Sequence, residues 1–391
     1  MEMNRRSLLK LTGASMAGAA LLSVPGMATA KTPAAYRPGV LPTPSANSPI
    51  LLNFNENSIG MAPSAERAVV ASLSKAFRYP DDQRAALVTA LAGRFGVSEK
   101  HLSLGNGSSE NIQAIVQALV QQARSRQQAV QLVVPDPTFN YAELYAKAQG
   151  VPVVKVPLTA QMLFDVAAMQ RAAAGFDGLS IFYLCNPNNP TATLTPGKVL
   201  QDWMAASSDK QFFLLDEAYA EFVTDPAFVS GIEWVKAGRQ NVAVTRTFSK
   251  LYALAGLRVG YALAAPALIE QFEAFMSLDN TNLAGAVAAL ASLQDKDFQQ
   301  RSVSSVNRSR AIVTQALDEL GLRHVPSHAN FVFHEIKGSV KTYQERMKAQ
   351  HIMVGREFPP AVGWSRLTLG TPEEMTVFVR VLKSFRQKGW V

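Results

Sequence analysis

Residues 179–190, LSIFYLCNPNNP, place a largely apolar run of strand length directly before a turn that is rich in asparagine and proline. An unbroken apolar run is typical of a parallel strand that is covered on both faces, whereas a strand with one solvent face alternates apolar and polar residues. The stretch therefore predicts a buried strand of a parallel α/β sheet, and this strand ends in polar side chains.

Three other segments have the same form. QLVV at 131–134 precedes a turn with Asp136 and Phe139, QFFLL at 211–215 runs into Asp216, and NVAVT at 241–245, which alternates more, leads to Lys250. In open α/β sheets, ligands bind in the crevice at the carboxyl ends of the strands. Four such ends predict one shared site rather than four unrelated loops.

Composition and charge exclude several classes of protein. The chain has 391 residues, of which 48% are hydrophobic and 17% charged, as expected for a globular protein with a sizeable core. The net charge of +8 is spread along the sequence without a basic run, so no nucleic-acid partner is expected. The five histidines show no metal-ligand spacing, and a single cysteine, Cys185, excludes an internal disulfide.

The first 30 residues have the features of a targeting signal. A twin arginine, Arg5 and Arg6, precedes an apolar stretch, and small residues at 28–30 form a cleavage site. A membrane anchor is the alternative, but the apolar run at 11–24 is short for a bilayer span. We interpret residues 1–30 as a twin-arginine signal peptide, cleaved near Ala30. The protein would meet the translocation machinery in the cytoplasm, cross the membrane folded, and become periplasmic or otherwise exported.

The mature chain divides into an arm and two domains. Residues 31–75 are predicted to be an N-terminal arm, and residues 76–275, where helical and strand patterns alternate, a large domain. Long helical stretches followed by two strand patterns predict a smaller α+β domain over residues 276–391.

GNGSSE at 105–110 is a candidate anion site. Gly105 and Gly107 permit a tight turn, and Ser108 and Ser109 open an amphipathic helix whose free N–H groups and dipole favour a phosphate. A plain helix start is the alternative, and the absence of a Gly-Lys-Ser/Thr sequence excludes a P-loop.

Asp216 and Lys250 each have two interpretations. Asp216 follows an apolar run, so its carboxylate is either a helix N-cap or a buried anion that needs a cation. Lys250 is either an exposed lysine or an amine whose proton is lost easily beside an apolar strand, as Schiff-base chemistry requires.

These features occur together in one known family. NPNNPT at 186–191, DEAYAEF at 216–222 and TFSKLYALAGLRVGY at 247–261 resemble the motifs of fold-type I pyridoxal-phosphate aminotransferases, specifically the histidinol-phosphate aminotransferase family. The resemblance runs from about residue 51 to about residue 374. It implies an α/β fold with a large domain, whose mostly parallel seven-stranded sheet lies between helices, and a smaller α+β C-terminal domain.

The resemblance also implies residue roles at the cofactor ring. Lys250 would form the internal aldimine with pyridoxal 5'-phosphate and act as general base, and Asp216 would pair with the pyridine nitrogen, which keeps the ring an electron sink. Tyr219 and Asn189 would hydrogen-bond the phenolic oxygen, and Phe139 would stack on the ring.

The remaining implied roles concern the phosphate. Ser108, Ser109, Thr247, Ser249 and Arg258 would hold it.

Substrate and partner roles follow from the same resemblance. Tyr79 would reach the phosphate of the neighbouring subunit, which implies a homodimer. Arg366 would clamp the substrate α-carboxylate, with Asn189 and Arg356 as further substrate-binding residues. The implied reaction moves an amino group from an amino acid, or a histidinol-phosphate-like amine, to a 2-oxo acid such as 2-oxoglutarate.

Three positions depart from the family pattern, and they bear on the substrate. Ala192 stands where the NPTG motif of the family has glycine, and Tyr141 lies one position earlier than the usual second tyrosine of its loop. Arg356 is displaced from the position of the family arginine that helps bind a substrate phosphate. With an export signal, these departures favour another donor, aromatic or basic, over histidinol phosphate. A decarboxylase or other lyase on the same scaffold and a cofactor-binding regulator are the alternatives.

Overall fold

The computed structural model of the protein describes residues 38–391. Its strands are β1 Ile50–Leu52, β2 Leu102–Asn106, β3 Ala129–Asp136, β4 Val153–Pro157, β5 Gly178–Cys185, β6 Gln211–Asp216, β7 Val242–Thr247, β8 Val259–Ala264, β9 Phe331–Glu335, β10 Ile352–Val354, β11 Glu357–Phe358 and β12 Ala361–Thr368. Its α-helices are α1 Pro63–Ser72, α2 Asp81–Phe95, α3 Ser108–Ser125, α4 Tyr141–Ala148, α5 Val166–Ala174, α6 Gly197–Ala205, α7 Ile232–Lys236, α8 Pro266–Glu273, α9 Leu283–Gln294, α10 Lys296–Glu319, α11 Val340–Ala349 and α12 Pro372–Gln387.

Seven strands form the central sheet in the order β2-β8-β7-β6-β5-β3-β4. Strands β3 to β7 run parallel to their neighbours among themselves, and β8 runs antiparallel to both β2 and β7. All residues of β5 and β7 are buried, which explains their apolar sequences. The predicted mostly parallel seven-stranded sheet is confirmed.

The strand ends are gathered as the sequence predicted. Asp136, Cys185, Asp216 and Thr247 are the last residues of β3, β5, β6 and β7, which lie side by side in the sheet. Because these strands are parallel, the four ends lie at one edge, and the loops that follow them surround a common crevice.

The C-terminal part of the chain has the expected smaller α+β arrangement. Strands β11, β12 and β9 form an antiparallel sheet, and helix α12 begins with a capping box between Thr371 and Glu374. Strand β1, from the predicted arm, pairs in parallel with β10 and so joins the arm to this part of the chain. The domain boundaries at 75/76 and 275/276 stay predictions.

The predicted signal peptide, residues 1–30, and the beginning of the arm lie outside the described residues. Over the described range, 38–391, no helix combines the length and the apolar character that crossing a bilayer requires.

Candidate active site

One cavity of about 270 Å³ opens at the carboxyl edge of the central sheet. Its lining contains most of the residues that the sequence assigned to a site, namely Ser108, Ser109, Phe139, Asn189, Asp216, Tyr219, Thr247, Ser249, Lys250, Arg258 and Arg366. It also contains residues that the sequence did not assign, namely Phe54, Asn55, Tyr141, Cys185, Ala218 and Ala255.

The N-terminus of α3 forms one end of the cavity. Gly107 precedes the helix with a φ of 73° and has no side chain to cap it, so the N–H groups of Ser108 and Ser109 are left for another acceptor. The chain folds back after β7, which brings the Nη2 atom of Arg258 to 3.4 Å from Oγ of Ser109. Helix N–H groups beside a guanidinium form a site for a phosphate.

Two glycines permit this close approach. A Cβ atom on Gly107 would overlap the Arg258 guanidinium, and one on Gly260, at the start of β8, would lie 2.5 Å from the carbonyl carbon of Gly107. Thr247 and Ser249 complete this end of the cavity, with their hydroxyl oxygens 2.8 Å apart.

Asp216 lies deeper in the cavity and is 2% exposed. The Tyr183 hydroxyl donates a hydrogen bond to its Oδ2 atom at 2.7 Å, and the backbone N–H of Ala218 donates to Oδ1 at 3.2 Å. Burial raises the pKa of Asp216 to about 6, although the two hydrogen bonds act to lower it. Within residues 38–391, Asp216 has no salt-bridge partner. A buried carboxylate of this kind gains stability from a cation, as a protonated pyridine nitrogen would supply.

Lys250 faces the same cavity. Its Nζ atom donates a hydrogen bond to the backbone oxygen of Phe54 at 3.2 Å and lies 5.9 Å from the centre of the Tyr219 ring. Burial lowers the pKa of Lys250 to about 8, and the Arg366 guanidinium adds to this effect. The lysine is therefore an amine that readily loses its proton, rather than an exposed surface lysine.

Arg366, on β12, also lines the cavity and is 9% exposed. Its Nη1 atom donates to Oδ1 of Asn189 at 2.8 Å and its Nη2 atom to the backbone oxygen of Asn53 at 2.7 Å. Burial lowers its pKa to about 10, so the guanidinium stays protonated at neutral pH. Asn189 donates in turn to the Tyr219 hydroxyl at 3.2 Å, which links the arginine to the tyrosine.

The structure does not bring two predicted residues into the cavity. Arg356 is exposed, donates to the backbone oxygen of Glu357 at 2.9 Å and lies 4.2 Å above the Phe358 ring, outside the lining. Tyr79 is 75% exposed and also lies outside the lining. Both roles stay predictions.

Two of the three positions that depart from the family pattern, Ala192 and Tyr141, have a distinct local structure. Ala192 has a φ of 60°, in the left-handed region where glycine is favoured, although it is completely buried. Tyr141 opens α4 and its ring lies 4.3 Å from that of Phe139, so both aromatic rings line the cavity.

The residues present fit pyridoxal phosphate. The helix N-terminus and Arg258 suit its phosphate. Asp216, a buried carboxylate that would be stabilised by a cation, suits its protonated ring nitrogen, and the Lys250 amine suits its aldehyde. Asn189 and Tyr219 would lie beside its phenolic oxygen.

Comparison with known proteins gives the same result. The family described as aminotransferase class I and II matches residues 47–382. Histidinol-phosphate aminotransferases of Moorella thermoacetica and Rubrobacter xylanophilus are 33% and 36% identical, over 85% of this chain in both cases and over 84% and 91% of theirs.

Solved structures share the fold. An Erwinia carotovora atroseptica protein superposes with a TM-score of 0.86 at 40% identity, over 90% of this chain and 100% of that chain. The histidinol-phosphate aminotransferase of Sinorhizobium meliloti, in complex with pyridoxal-5'-phosphate, has a TM-score of 0.77 at 25% identity, over 87% of this chain and 91% of that chain. The chain therefore belongs to the aminotransferase class I and II family and is a pyridoxal-phosphate-dependent transaminase.

Proposed function

We propose that the protein transfers the amino group of an amino acid to a 2-oxo acid such as 2-oxoglutarate, with Lys250 as the residue that holds the cofactor covalently. The observation that carries this proposal is that the Lys250 amine, the Arg366 guanidinium and the Asp216 carboxylate line one cavity. A proton acceptor and a carboxylate-binding fork are the two groups that the chemistry demands of the protein.

Each residue has a distinct task. Bound pyridoxal phosphate supplies an electron sink next to the substrate Cα, and the protein supplies orientation and proton transfer. With its pKa near 8, Lys250 can accept the Cα proton and return it. Asp216 keeps the ring nitrogen protonated, because a cation beside it removes the cost of its own buried charge.

Arg366 orients the substrate through its carboxylate. Its bonds to Asn189 and Asn53 hold the guanidinium plane fixed, and the Phe358 ring lies 4.9 Å from its Cζ atom. A fixed, buried fork binds a carboxylate in one orientation, which amino acids and 2-oxo acids share. The same arginine would serve both half-reactions.

We propose an aromatic amino acid as the donor. Phe54 and Tyr141 present exposed rings to the cavity. Among residues 38–391, the only carboxylate in the cavity lining is Asp216, which we assign to the ring nitrogen, so no carboxylate is left there to pair with a basic side chain. Histidinol phosphate is the second candidate, because the relatives above carry that name. Against it, Arg356 is displaced from the family arginine that helps bind a substrate phosphate, and it lies outside the lining of the cavity.

A donor screen tests the proposal. The cofactor-loaded protein is mixed with single donors, and the change in cofactor absorbance is followed with the appearance of glutamate from 2-oxoglutarate. We expect a higher kcat/KM for an aromatic amino acid than for histidinol phosphate. The opposite ranking would assign histidinol phosphate as the donor, and release of carbon dioxide or ammonia without amino transfer would make the protein a lyase.

We further propose a homodimer. Tyr79 and the nearby Phe77 are both 75% exposed, which is unusual for large aromatic side chains on a lone chain. A second copy would cover them and bring Tyr79 to the partner's phosphate site. Light scattering should give twice the mass of the chain. A Tyr79→Phe variant should bind pyridoxal phosphate more weakly than the parent, and a monomeric mass with unchanged affinity would contradict the proposal.

We also propose export through the twin-arginine route. The support is the Arg5-Arg6 pair with its short apolar stretch and small-residue cleavage site. Changing both arginines to lysine should leave the protein in the cytoplasm with its signal uncleaved. If that variant is found cleaved in the periplasm in the same amount as the parent, the proposal is contradicted.

A further inference from the structure

The Tyr219 hydroxyl oxygen has two amide donors. Asn189 donates to it through Nδ2 at 3.2 Å, and Asn55, which follows β1, donates through Nδ2 at 3.1 Å. Tyr219 is 4% exposed, so water does not compete effectively for these positions. A phenolic oxygen has two lone pairs and one proton, and both lone pairs are therefore occupied.

The orientation of the Asn189 amide is fixed by its neighbour. Arg366 donates to Oδ1 of Asn189 at 2.8 Å, and an arginine has only donors. The oxygen must therefore face Arg366, which leaves the Nδ2 group for Tyr219.

Thr368 sets the orientation of the Asn55 amide, because its buried hydroxyl proton has no other acceptor within residues 38–391 than Oδ1 of Asn55. The Thr368 hydroxyl accepts the backbone N–H of Asn55 at 2.9 Å and donates its own proton to Oδ1 of Asn55 at 3.2 Å. Thr368 is completely buried and Asn55 is 1% exposed. The amide nitrogen of Asn55 is therefore turned to Tyr219, as that of Asn189 is.

We propose that Asn55 and Thr368 are positioning residues that reserve the Tyr219 proton for the phenolic oxygen of pyridoxal phosphate. With both lone pairs occupied by N–H groups, the tyrosine cannot donate to either asparagine, and its proton points into the cavity. The inference rests on the proposed role of Tyr219 at the cofactor and adds a device that controls it. Thr368, Asn55 and Tyr219 then act as one directed chain of hydrogen bonds.

The charges around Tyr219 are compatible with a donor role. Burial holds the pKa of Tyr219 well above its usual value, so the hydroxyl keeps its proton across the working range. The other titratable groups that face it are Cys185 at the end of β5, Asp216 at the end of β6, Lys250 after β7 and Arg366 on β12. These stay unchanged in the variants below.

The test follows the pH midpoint of the visible absorbance change of the cofactor-loaded protein. A hydrogen bond from Tyr219 favours the ionised phenolic oxygen, so its loss raises the midpoint. Tyr219→Phe should raise it by about one pH unit, which is the size of a hydrogen bond to an ionised group. Thr368→Val removes the hydroxyl at constant shape, releases the Asn55 amide to turn, and should raise the midpoint by roughly half as much.

Two further variants separate position from structure. Thr368→Ser keeps the hydroxyl and should restore the parent midpoint. Asn55→Gly removes the amide without backbone strain, because Asn55 has a φ of 56°. Water that fills the vacated polar space can accept the Tyr219 proton, so this variant should also raise the midpoint, as Thr368→Val does. If Thr368→Val does not fold, Asn55→Gly decides alone.

The outcomes distinguish two failures. A parental midpoint in Thr368→Val and Asn55→Gly, beside a shifted Tyr219→Phe, overturns the positioning pair and leaves the role of Tyr219 intact. A parental midpoint in Tyr219→Phe overturns both that role and the inference.

Discussion

Replacing Gly107 with alanine tests the phosphate end of the cavity. Gly107 has a φ of 73° and a ψ of 160°, a region that is essentially restricted to glycine. An added Cβ would also overlap Nη2 of Arg258 and lie 2.8 Å from its Cζ atom, so the guanidinium would have to move away from Ser109. Gly107→Ala therefore combines backbone strain with displacement of Arg258, which we expect to bind the cofactor phosphate.

The two effects have separate magnitudes. Backbone strain in this region costs about 1–3 kcal/mol of folding free energy. A displaced guanidinium forfeits a charge-assisted hydrogen bond to the phosphate, worth about 1.5–3 kcal/mol, which corresponds to an increase in Kd for pyridoxal phosphate of roughly 10- to 150-fold. The change in affinity is the effect that identifies the site.

Titration of the cofactor-free protein with pyridoxal phosphate measures the Kd, and urea unfolding measures the stability. Gly96→Ala is the matched control, because Gly96 also has a positive φ, 66°, but no atom within 4 Å of an added Cβ. It should cost about 1 kcal/mol of stability and leave the Kd unchanged. A parental Kd in Gly107→Ala, or an equal loss of affinity in Gly96→Ala, would refute the assigned phosphate site.

Three other variants address different parts of the molecule. Arg366→Lys should raise KM for the amino donor about 10- to 100-fold with a smaller change in kcat, because the bidentate fork is lost; steady-state kinetics that show the reverse split would contradict this. Tyr183→Phe removes the hydroxyl that donates to Asp216 at 2.7 Å and should weaken cofactor binding about tenfold in an equilibrium titration; an unchanged Kd would count against it. Burial lowers the pKa of His334 to about 4. As the pH drops below 6.5, the unfolded chain therefore binds a proton that the folded chain does not, and the free energy of unfolding decreases. Between pH 7 and pH 5 the parent should lose about 2 kcal/mol more than His334→Phe in urea unfolding, and equal losses would exclude the histidine as the cause.

The sheet and the residues at its edge were predictable because they depend on local patterns. An apolar run followed by a polar strand end identifies both a parallel strand and a position at the ligand crevice, as Asp216 and Lys250 illustrate. Parallel pairing then brings the ends together without further information. Residue identity added the chemistry, since a buried carboxylate and a buried amine each require a partner.

The residues that the sequence analysis missed are those whose role depends on distant contacts. Tyr183 lies inside an apolar run and reads as core, although its position two residues before Cys185, the register partner of Asp216, places it on the same face of the sheet. Asn55 is separated by 313 positions from Thr368, and neither carries a local sign of the other. Arg356 shows the converse, since its resemblance to a family arginine at a shifted position did not bring its side chain into the cavity.

The contacts around Tyr219 also bear on the order of assembly. They join the segments that follow β1, β5 and β6 to strand β12. The hydrogen bond between Asn55 and Thr368 spans 313 positions of the sequence, and the one between Arg366 and Asn189 spans 177. Contacts of this range form only when the whole chain has folded, so a competent cofactor site cannot exist in a threaded, unfolded chain. An export route that carries folded proteins, as we propose from residues 1–30, would allow the site to be assembled and loaded where the cofactor is made. A route that threads unfolded chains would require both steps to occur after transport.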